Sequence, residues 1–277
     1  VSGMLREEQL LDPIAVRAFL DLDPGFNQAW AASGEDIGIA LHTHCVTVGQ
    51  SLGRPDCPIP TCGRDWIATL PPVALDRWPV AQEAPAWEAF TSVGHWRSYG
   101  SIEHEGIRYG QRAHSLRGLI ELPRASGASF QLALGIHPAE SRDLAALRAY
   151  GWELLEPAEV ASGPDAYADF VRGSMAELSV AKSGYVASRS GWFSDRSACY
   201  LASGRPVVAQ ETGFSAFLPT GEGLLAFTTT AEAADASREV MSDPKRHGAA
   251  ARALAEEYFD ARMVLPRLLE RLSGPAS

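Results

Sequence analysis

The stretch AELSVAKSGYVASRSGWFSDRSACYLASGRPVVAQETG, residues 176–213, decides the fold that the sequence predicts. It begins with a short apolar run that ends in Lys182, and a loop rich in glycine, serine and aromatic residues follows over residues 183–193. Ser194 predicts the start of a helix with Arg196 in its first turn, because a serine side chain accepts hydrogen bonds from free backbone N–H groups there. The next segment, RPVVAQ, has the composition of a buried strand. The stretch therefore predicts a strand–loop–helix–strand unit.

The same alternation continues over about residues 90–230 and predicts a mainly parallel, doubly wound α/β sheet. Further predicted strands are FTSVGHW, FQLALGI, WELLEP and GEGLLAF. Predicted helices are RDLAALRAYG, DAYADFVRGSM and TTAEAADASREVMSD, the last ending near Asp243. Anions and nucleotides bind at the carboxyl edge of such sheets, next to helix N-termini. We therefore expect Lys182 and Arg196 to lie together at an anion-binding edge.

The first 80 residues alternate short apolar runs with loops. AVRAFLDLD predicts a strand closing on Asp21 and Asp23, PGFNQAW a turn and a helix, and CVTVG a second strand. The proline-rich residues 54–79 are expected to form an irregular loop with an extended exit. VSG at the start has the pattern of a strand end, so we expect that the beginning of its domain is missing. The C-terminal ALAEEYFDARMVLPRLLERL predicts a helix that Pro266 kinks or splits.

Composition limits the classes of function. A length of 277 residues suits one large or two ordinary domains, and a formal net charge of −10 argues against broad nucleic-acid binding. No apolar run approaches the roughly 20 residues of a membrane span. The four cysteines form no CxxC pair, which predicts reduced thiols in the cytoplasm, with a Cys57–Cys62 disulfide as the alternative.

The segment AKSGYVASRSGWFSDRSACYLASGRPVVAQETG, with LPTGEGLLAFTTTAEA after it, resembles the donor-binding half of GT-B glycosyltransferases. Within that group it is most similar to the branch that includes spore-maturation-type proteins. The shared pattern comprises Arg196 early in a helix, SGRPVV at residues 203–208, Gly213 after the strand, and GLL at residues 223–225. The resemblance covers about residues 88–272.

The resemblance implies two Rossmann-like domains, the first one truncated, and a C-terminal helix that crosses back to the first domain. The expected parts are a partial acceptor domain over residues 1–82, a donor domain over residues 83–254, and the crossover helix and tail over residues 255–277. The implied activity is a metal-independent transfer, of the hexosyltransferase type, from a UDP- or GDP-type nucleotide-diphosphate sugar to a hydroxyl-bearing acceptor. No other cofactor is implied.

Arg196 and Lys182 are the candidate catalytic cations, because arginine and lysine can neutralise a leaving diphosphate while a helix N-terminus supplies N–H groups. The alternatives are a capping or surface arginine and a lysine at a strand end whose ammonium reaches solvent. Gly213 would let the backbone approach a phosphate, or is an ordinary turn glycine. The candidate donor-binding residues are Trp96, Ser190, Gly191, Ser194, Glu211, Thr212 and Gly213. Trp96 would stack on a base or belong to the core.

One position departs from the family pattern. Related transferases usually carry a glutamate one turn after the helix-starting arginine, where it bonds the nucleotide ribose, and Cys199 stands there. The earlier glutamate of the family's pair falls at Gly191. A thiol cannot replace two strong acceptor oxygens. The departure supports an alternative function, a non-catalytic GT-B-like module that binds a glycan or a partner.

His42 and His44 form an HTH motif whose imidazoles would share one face of a strand. His42 is the candidate general base toward an acceptor hydroxyl. The same pair suits a metal-dependent hydrolase, a weaker alternative because no further ligand set follows in the required order. A structural role for the pair is the third interpretation.

Overall fold

A computed structural model describes residues 6–273, and it confirms the predicted α/β class. The expected strand end at VSG lies outside the described residues. The strands are β1 Ala18–Asp21, β2 His44–Thr47, β3 Trp66–Ala68, β4 Ala89–His95, β5 Ile102–His104, β6 Ile107–Tyr109, β7 Ser129–Gly135, β8 Glu153–Leu154, β9 Ala176–Ser179, β10 Val207–Gln210 and β11 Leu224–Phe227. The helices are α1 Glu8–Leu11, α2 Phe26–Ala32, α3 Arg112–Gly118, α4 Leu122–Ser126, α5 Ser141–Ala149, α6 Pro157–Val160, α7 Pro164–Gly173, α8 Ser183–Ala187, α9 Asp195–Ala202, α10 Thr230–Ser242, α11 Pro244–Leu254 and α12 Ala261–Leu272.

The larger sheet has six strands in the order β8–β7–β4–β9–β10–β11, and every neighbouring pair is parallel. This order reverses direction between β4 and β9, since the chain builds outward first to one side of β4 and then to the other. Such a reversal leaves a crevice at the carboxyl ends of the two central strands, where doubly wound sheets bind ligands. Helices on both faces bury the strands; all four residues of β9 are buried.

The smaller sheet has three parallel strands in the order β1–β2–β3. Its third strand lies within the segment that the sequence predicted as an irregular loop. The strands of this sheet fall within residues 1–82 and those of the larger sheet within residues 83–254. The domain limits themselves stay a prediction.

Two further segments differ from the sequence prediction. The polar and aromatic residues 97–110, which show no period, contain an antiparallel hairpin of β5 and β6. The loop predicted after Lys182 begins instead with the short helix α8. Both elements pack around Phe26 of α2, whose ring lies 5.8 Å from that of Tyr109 of β6 and 5.6 Å from that of Tyr185 of α8. This aromatic cluster joins the two sheets.

The C-terminal segment is split into two helices, but the split does not fall at Pro266. Pro266 lies inside α12, and the break falls at Asp260 after a π-helical turn at Ala255–Phe259. Asp260 has an extended backbone because residues 259 and 261 hydrogen-bond to Val73, at 2.7 and 2.9 Å. Asp260 then caps α12, which returns to the smaller sheet, where Arg271 Nη1 donates to the Ala68 carbonyl at 2.9 Å.

Candidate functional site

A cavity of about 360 Å³ lies between the carboxyl ends of the two sheets. The larger sheet contributes Gly94 and His95 at the end of β4 and Lys182 just after β9. The smaller sheet contributes residues that follow its strands, among them Asp23 and Val48. The cavity therefore occupies the crevice between β4 and β9 that the strand order creates.

Arg196 lines this cavity from the first turn of α9. Its backbone N–H donates to the Ser194 hydroxyl at 3.2 Å, which confirms the predicted helix start. Within residues 6–273 the guanidinium donates no hydrogen bond, and its Nε is buried without an acceptor. The nearest carboxylate oxygen is Oε1 of Glu177, at 3.9 Å from Nε. Arg196 thus carries hydrogen-bond donors that the protein leaves unused.

Glu177 lies beneath Arg196 in the middle of β9, and only 1% of it is exposed. Burial raises the pKa of its carboxyl group, and the opposing charge of Arg196 only partly offsets that effect. Its Oε2 has no hydrogen-bond partner in the described part of the chain. A buried carboxylate at this distance attracts the guanidinium without occupying its donors.

Arg112 is a second cavity-lining arginine, at the start of α3, and the sequence analysis did not single it out. Its Nε donates to the Val180 carbonyl at 2.8 Å and its Nη1 to the His95 carbonyl at 3.0 Å. Burial and the nearby charge of Arg196 both lower the pKa of Arg112. No carboxylate forms an ion pair with Arg112 within residues 6–273, so its positive charge is balanced mainly by backbone dipoles.

The pocket position of Arg112 depends on Gly94. A Cβ atom at residue 94 would lie 2.4 Å from Arg112 Nη1, so the guanidinium needs the space that a glycine leaves. Nothing in the local sequence around residue 112 indicates this, because the contact joins a strand end to a helix 18 residues further on.

Lys182 also lines the cavity, but its ammonium is already paired with groups of the protein. It donates to Asp23 Oδ1 at 2.5 Å and to the Tyr99 hydroxyl, and it lies 4.1 Å from the centre of the Tyr99 ring. Burial lowers the pKa of Lys182, against the effect of Asp23. Burial alone would raise the pKa of Asp23, but the charge of Lys182 and hydrogen bonds from Lys182, Tyr185 and Tyr99 lower it overall. Lys182 and Asp23 form an ion pair that joins the two sheets.

Asp21 is fully buried and organises the loop that presents Asp23. Its Oδ2 accepts from Gln28 at 2.8 Å and from Thr47 at 2.7 Å, and its Oδ1 accepts from the Asp23 backbone N–H at 3.0 Å. Burial raises the pKa of Asp21, and these hydrogen bonds oppose the rise. Asp21 therefore supports the loop and does not line the cavity.

Five of the candidate donor-binding residues lie in two loops that contact each other beside the cavity: Ser190, Gly191, Glu211, Thr212 and Gly213. Thr212 accepts a hydrogen bond from Gly191 N at 2.7 Å and donates to the Trp192 carbonyl at 2.5 Å. The Ser190 carbonyl accepts from Ser51 N, in the turn that follows β2, at 3.1 Å. None of the five lines the cavity.

Gly191 and Gly213, the two glycines of these contacting loops, are required by packing. Gly213 has φ of +95°, and a Cβ there would lie 2.8 Å from the Arg189 carbonyl oxygen. Gly191 has φ of +71°, and a Cβ there would lie 2.9 Å from Ser51 N. The space that both glycines leave is therefore filled by protein backbone.

Trp96 and His42 lie away from the cavity. Trp96 is buried in the core of the domain built on the six-stranded sheet, here the larger domain; the three-stranded sheet belongs to the smaller domain. The Trp96 indole N–H donates to Asp143 at 3.3 Å. His42 follows a 3-10 turn, and its Nδ1–H donates to the Gly38 carbonyl at 2.8 Å, with its ring edge-on to Phe19. It precedes β2, so it sits at the amino end of the smaller sheet, whereas the cavity is at the carboxyl end. His42 and His44 do not share a strand face, because β2 begins only at His44.

Cys199 faces away from the cavity as well, toward Tyr167 of α7, and burial raises the pKa of its thiol to about 12. All four cysteines are free thiols. Among residues 6–273 there is no group of three or more histidine, cysteine or acidic residues that could hold a metal ion. No helix in the described part of the chain is long and apolar enough to cross a membrane.

No protein-family description and no curated protein sequence matches this chain. Solved structures do match. Anabaena HepE (Alr3699) in complex with UDP-glucose has a TM-score of 0.62 at 12% identity, covering 92% of this chain and 71% of HepE. Sucrose-phosphate synthase from Thermosynechococcus elongatus has a TM-score of 0.59 at 16% identity, covering 95% of this chain and 70% of the synthase. AviGT4, a glycosyltransferase involved in avilamycin A biosynthesis, has a TM-score of 0.57 at 17% identity, covering 96% and 75%.

At such low identity these matches establish the fold alone, and the spore-maturation-type branch stays a prediction. Two parallel sheets meet at a cleft, and the C-terminal helix returns to the smaller sheet, as the resemblance implied. The chain has the GT-B fold of two Rossmann-like domains.

Proposed function

We propose that this protein transfers a sugar from a nucleotide-diphosphate sugar to a hydroxyl-bearing acceptor. The observation that carries the proposal is Arg196, whose guanidinium lines the cavity with its donors unused, beside the second cation Arg112. Both lie at the crevice where doubly wound sheets bind nucleotides. HepE, a structural neighbour, has been solved with UDP and with UDP-glucose bound.

The chemistry that these residues support is stabilisation of a leaving diphosphate. The bond between the anomeric carbon and the diphosphate oxygen breaks, and negative charge grows on that oxygen. The acceptor hydroxyl oxygen forms the new bond to the anomeric carbon, and its proton is released to solvent. Arginine matches phosphate oxygens with a planar fork of donors, and such donors are most effective in a partly desolvated site. Arg196 and Arg112 are the proposed ligands of the diphosphate, and Lys182 adds positive potential from the edge of the cavity. These cations neutralise the leaving diphosphate in the reaction that we propose, which is metal-independent and of the hexosyltransferase type.

The N-terminus of α9 contributes to the same site. The first turn of the helix presents backbone N–H groups, and Ser194 accepts only that of Arg196. A helix N-terminus favours anions by a few tenths to about 1 kcal/mol when it is exposed. The effect is smaller than that of a charged hydrogen bond, so the arginines dominate.

The test is calorimetric titration of the 277-residue chain with UDP and with GDP, using Arg196→Ala and the exposed control Arg142→Ala on α5. Loss of a hydrogen bond to a charged group should weaken binding by roughly 10- to 100-fold in the first variant. The control should bind as the unmodified chain does. Unchanged binding by Arg196→Ala would remove Arg196 from the site.

Two further outcomes are informative. If neither nucleotide binds, the result favours the non-catalytic module that the Cys199 departure suggests. If a nucleotide binds, the chain is incubated with the corresponding nucleotide sugar, and any release of sugar is measured again in EDTA. Loss of turnover in EDTA would contradict metal independence.

A further inference from the structure

The two walls of the cavity are chemically unlike. The wall from the larger domain carries the cations Arg112, Lys182 and Arg196. The wall from the smaller domain is almost entirely apolar. Its apolar side chains are Leu20, Leu22, Val48, Leu70, Pro71 and Pro72. Among the cavity-lining residues of that wall, only Asp23 and Thr69 are polar.

The apolar wall continues onto the returning helix α12. Leu268 lines the cavity, whereas its neighbour Leu269 is 62% exposed and lies outside it. Leu22 of the same wall is 50% exposed, although it directly follows β1, whose residues are all buried or half-buried. Leucines left partly open at the mouth of a cavity, facing charged groups across it, provide apolar area that a bound molecule can cover.

We infer that the acceptor carries its reacting hydroxyl on an apolar body, either an alkyl chain or an aromatic ring. The inference rests on the proposed function, because it takes the cationic wall as the donor side and the facing wall as the acceptor side. A free sugar or another polyol needs several hydrogen-bonding partners, and a wall with two polar side chains does not provide them. An apolar body requires none, and the apolar contacts favour its burial.

Asp23 places the hydroxyl end of the acceptor. Its Oδ1 accepts from Lys182, Tyr99 and Tyr185, while its Oδ2 accepts no hydrogen bond within residues 6–273. Oδ2 is therefore an acceptor atom available to one hydroxyl, at the point where the apolar wall meets the cations. One such atom suits a molecule with a single polar end next to an apolar body.

The experiment compares three alcohols that carry a single hydroxyl: methanol, n-octanol and phenol. Each is titrated below its solubility limit into the 277-residue chain saturated with UDP. Each buried methylene raises an association constant by about fourfold, so the octyl or the phenyl compound should bind at least about tenfold more tightly than the methyl compound. Tight binding of the octyl compound alone indicates an alkyl-chain acceptor, and of the phenyl compound alone an aromatic one.

Leu268→Ser and Leu269→Ser form a matched pair that locates the binding. The first variant should lose most of the tenfold advantage, and the second should keep it, since Leu269 is outside the cavity. Equal loss in both variants would show nonspecific adsorption to the helix surface and overturn the inference. UDP affinity is measured on each variant to show that the cationic wall is intact.

Failure of this inference differs from failure of the proposed function. If UDP binds but the three alcohols bind equally, the acceptor is not apolar and the proposed transfer still stands. If neither UDP nor GDP binds, both are rejected together.

Discussion

Lys182 and Arg196 are two cations at the same cavity, each next to one carboxylate, and their surroundings differ. Lys182 Nζ lies 2.5 Å from Asp23 and also donates to Tyr99. Arg196 Nε lies 3.9 Å from Glu177 and donates to nothing within residues 6–273. Asp23 belongs to the smaller domain, whereas Glu177 belongs to the same sheet as Arg196. The first pair therefore joins domains, and the second holds a cation ready for a ligand.

The pKa directions of the two carboxylates express the same difference. Burial raises the pKa of Glu177, since its cation is too distant to compensate. Burial would also raise that of Asp23, but the contact with Lys182 outweighs it and the pKa is lowered. A satisfied ion pair contributes to the stability of the fold, while an unsatisfied cation is available for function.

The largest expected effect follows from removing the domain-joining cation. Lys182→Met leaves Asp23 partly buried with its charge uncompensated, so we expect a loss of about 2 kcal/mol in the free energy of unfolding, below the value for a fully buried pair. UDP affinity should change by less than about threefold, because Lys182 is already engaged with Asp23. Urea unfolding and calorimetry measure the two quantities.

Lys245→Met is the control for that variant, since Lys245 is the other lysine of the chain and is exposed on α11. It should change neither quantity. A large loss of UDP affinity in Lys182→Met, with unchanged stability, would show that Lys182 and Arg196 have the same role and would break the comparison.

A smaller effect is expected when the second cation is displaced without being removed. In Gly94→Ala the new Cβ would overlap Arg112 Nη1, and the flexible guanidinium would move out of place. We expect roughly tenfold weaker UDP binding, equivalent to about one charged hydrogen bond. Backbone strain at φ of +150° should also lower stability slightly.

Gly100→Ala is the matched control, because a Cβ at residue 100 meets no atom within 4 Å. Its UDP affinity should equal that of the unmodified chain. If Gly94→Ala also binds UDP normally, then Arg112 is a structural arginine and Arg196 acts alone.

The smallest effect concerns pH. Because the folded protein holds the Glu177 proton more tightly than the unfolded chain does, stability of the unmodified protein falls as pH rises from about 4.5 toward the raised pKa. Glu177→Gln has no titrating group at this position and lacks this loss of stability. As pH rises from about 4.5, the free energy of unfolding of this variant should therefore increase relative to that of the unmodified protein. Urea midpoints measured from acid to neutral pH record the difference.

Asp23→Asn should show the opposite pattern. The contribution of Asp23 is present above its unfolded pKa of 3.8 and is lost as pH falls below that value, through the lowered pKa of the folded state. The variant should thus be less stable than the unmodified protein at neutral pH and approach it in acid. If the stabilities of Glu177→Gln and Asp23→Asn, each relative to the unmodified protein, changed with pH in the same direction, that result would contradict the assignment of Lys182–Asp23 as the satisfied pair and Arg196–Glu177 as the unsatisfied pair.

Much of the local structure could be predicted from the sequence. The strands β4, β7, β10 and β11 and the start of α9 at Ser194 follow from apolar runs and a capping residue, which act through neighbours along the chain. The break at Asp260 could not, since it is caused by hydrogen bonds to Val73, almost 190 residues away in sequence. The sequence predicts a kink or split at Pro266 instead, because proline disturbs a helix through its own backbone, which is a local effect.

The candidate site divides in the same way. Arg196 and Lys182 were found because each lies at the end of an element, where a parallel sheet opens to ligands. Arg112 was missed because its place in the cavity depends on the space at Gly94. His42, Trp96 and the five residues of the two contacting loops are candidates because of their residue types, and the tertiary structure places them outside the cavity.

The sequence by itself determined the α/β class and the edge of the larger sheet at which cations gather, because periodicity and capping are properties of neighbouring residues. Only the tertiary structure decided which cation is engaged and which has unused donors, and that an apolar wall faces them. Those features depend on distances between side chains from separate domains, such as Asp23 and Lys182, and no pattern along one segment encodes such a distance.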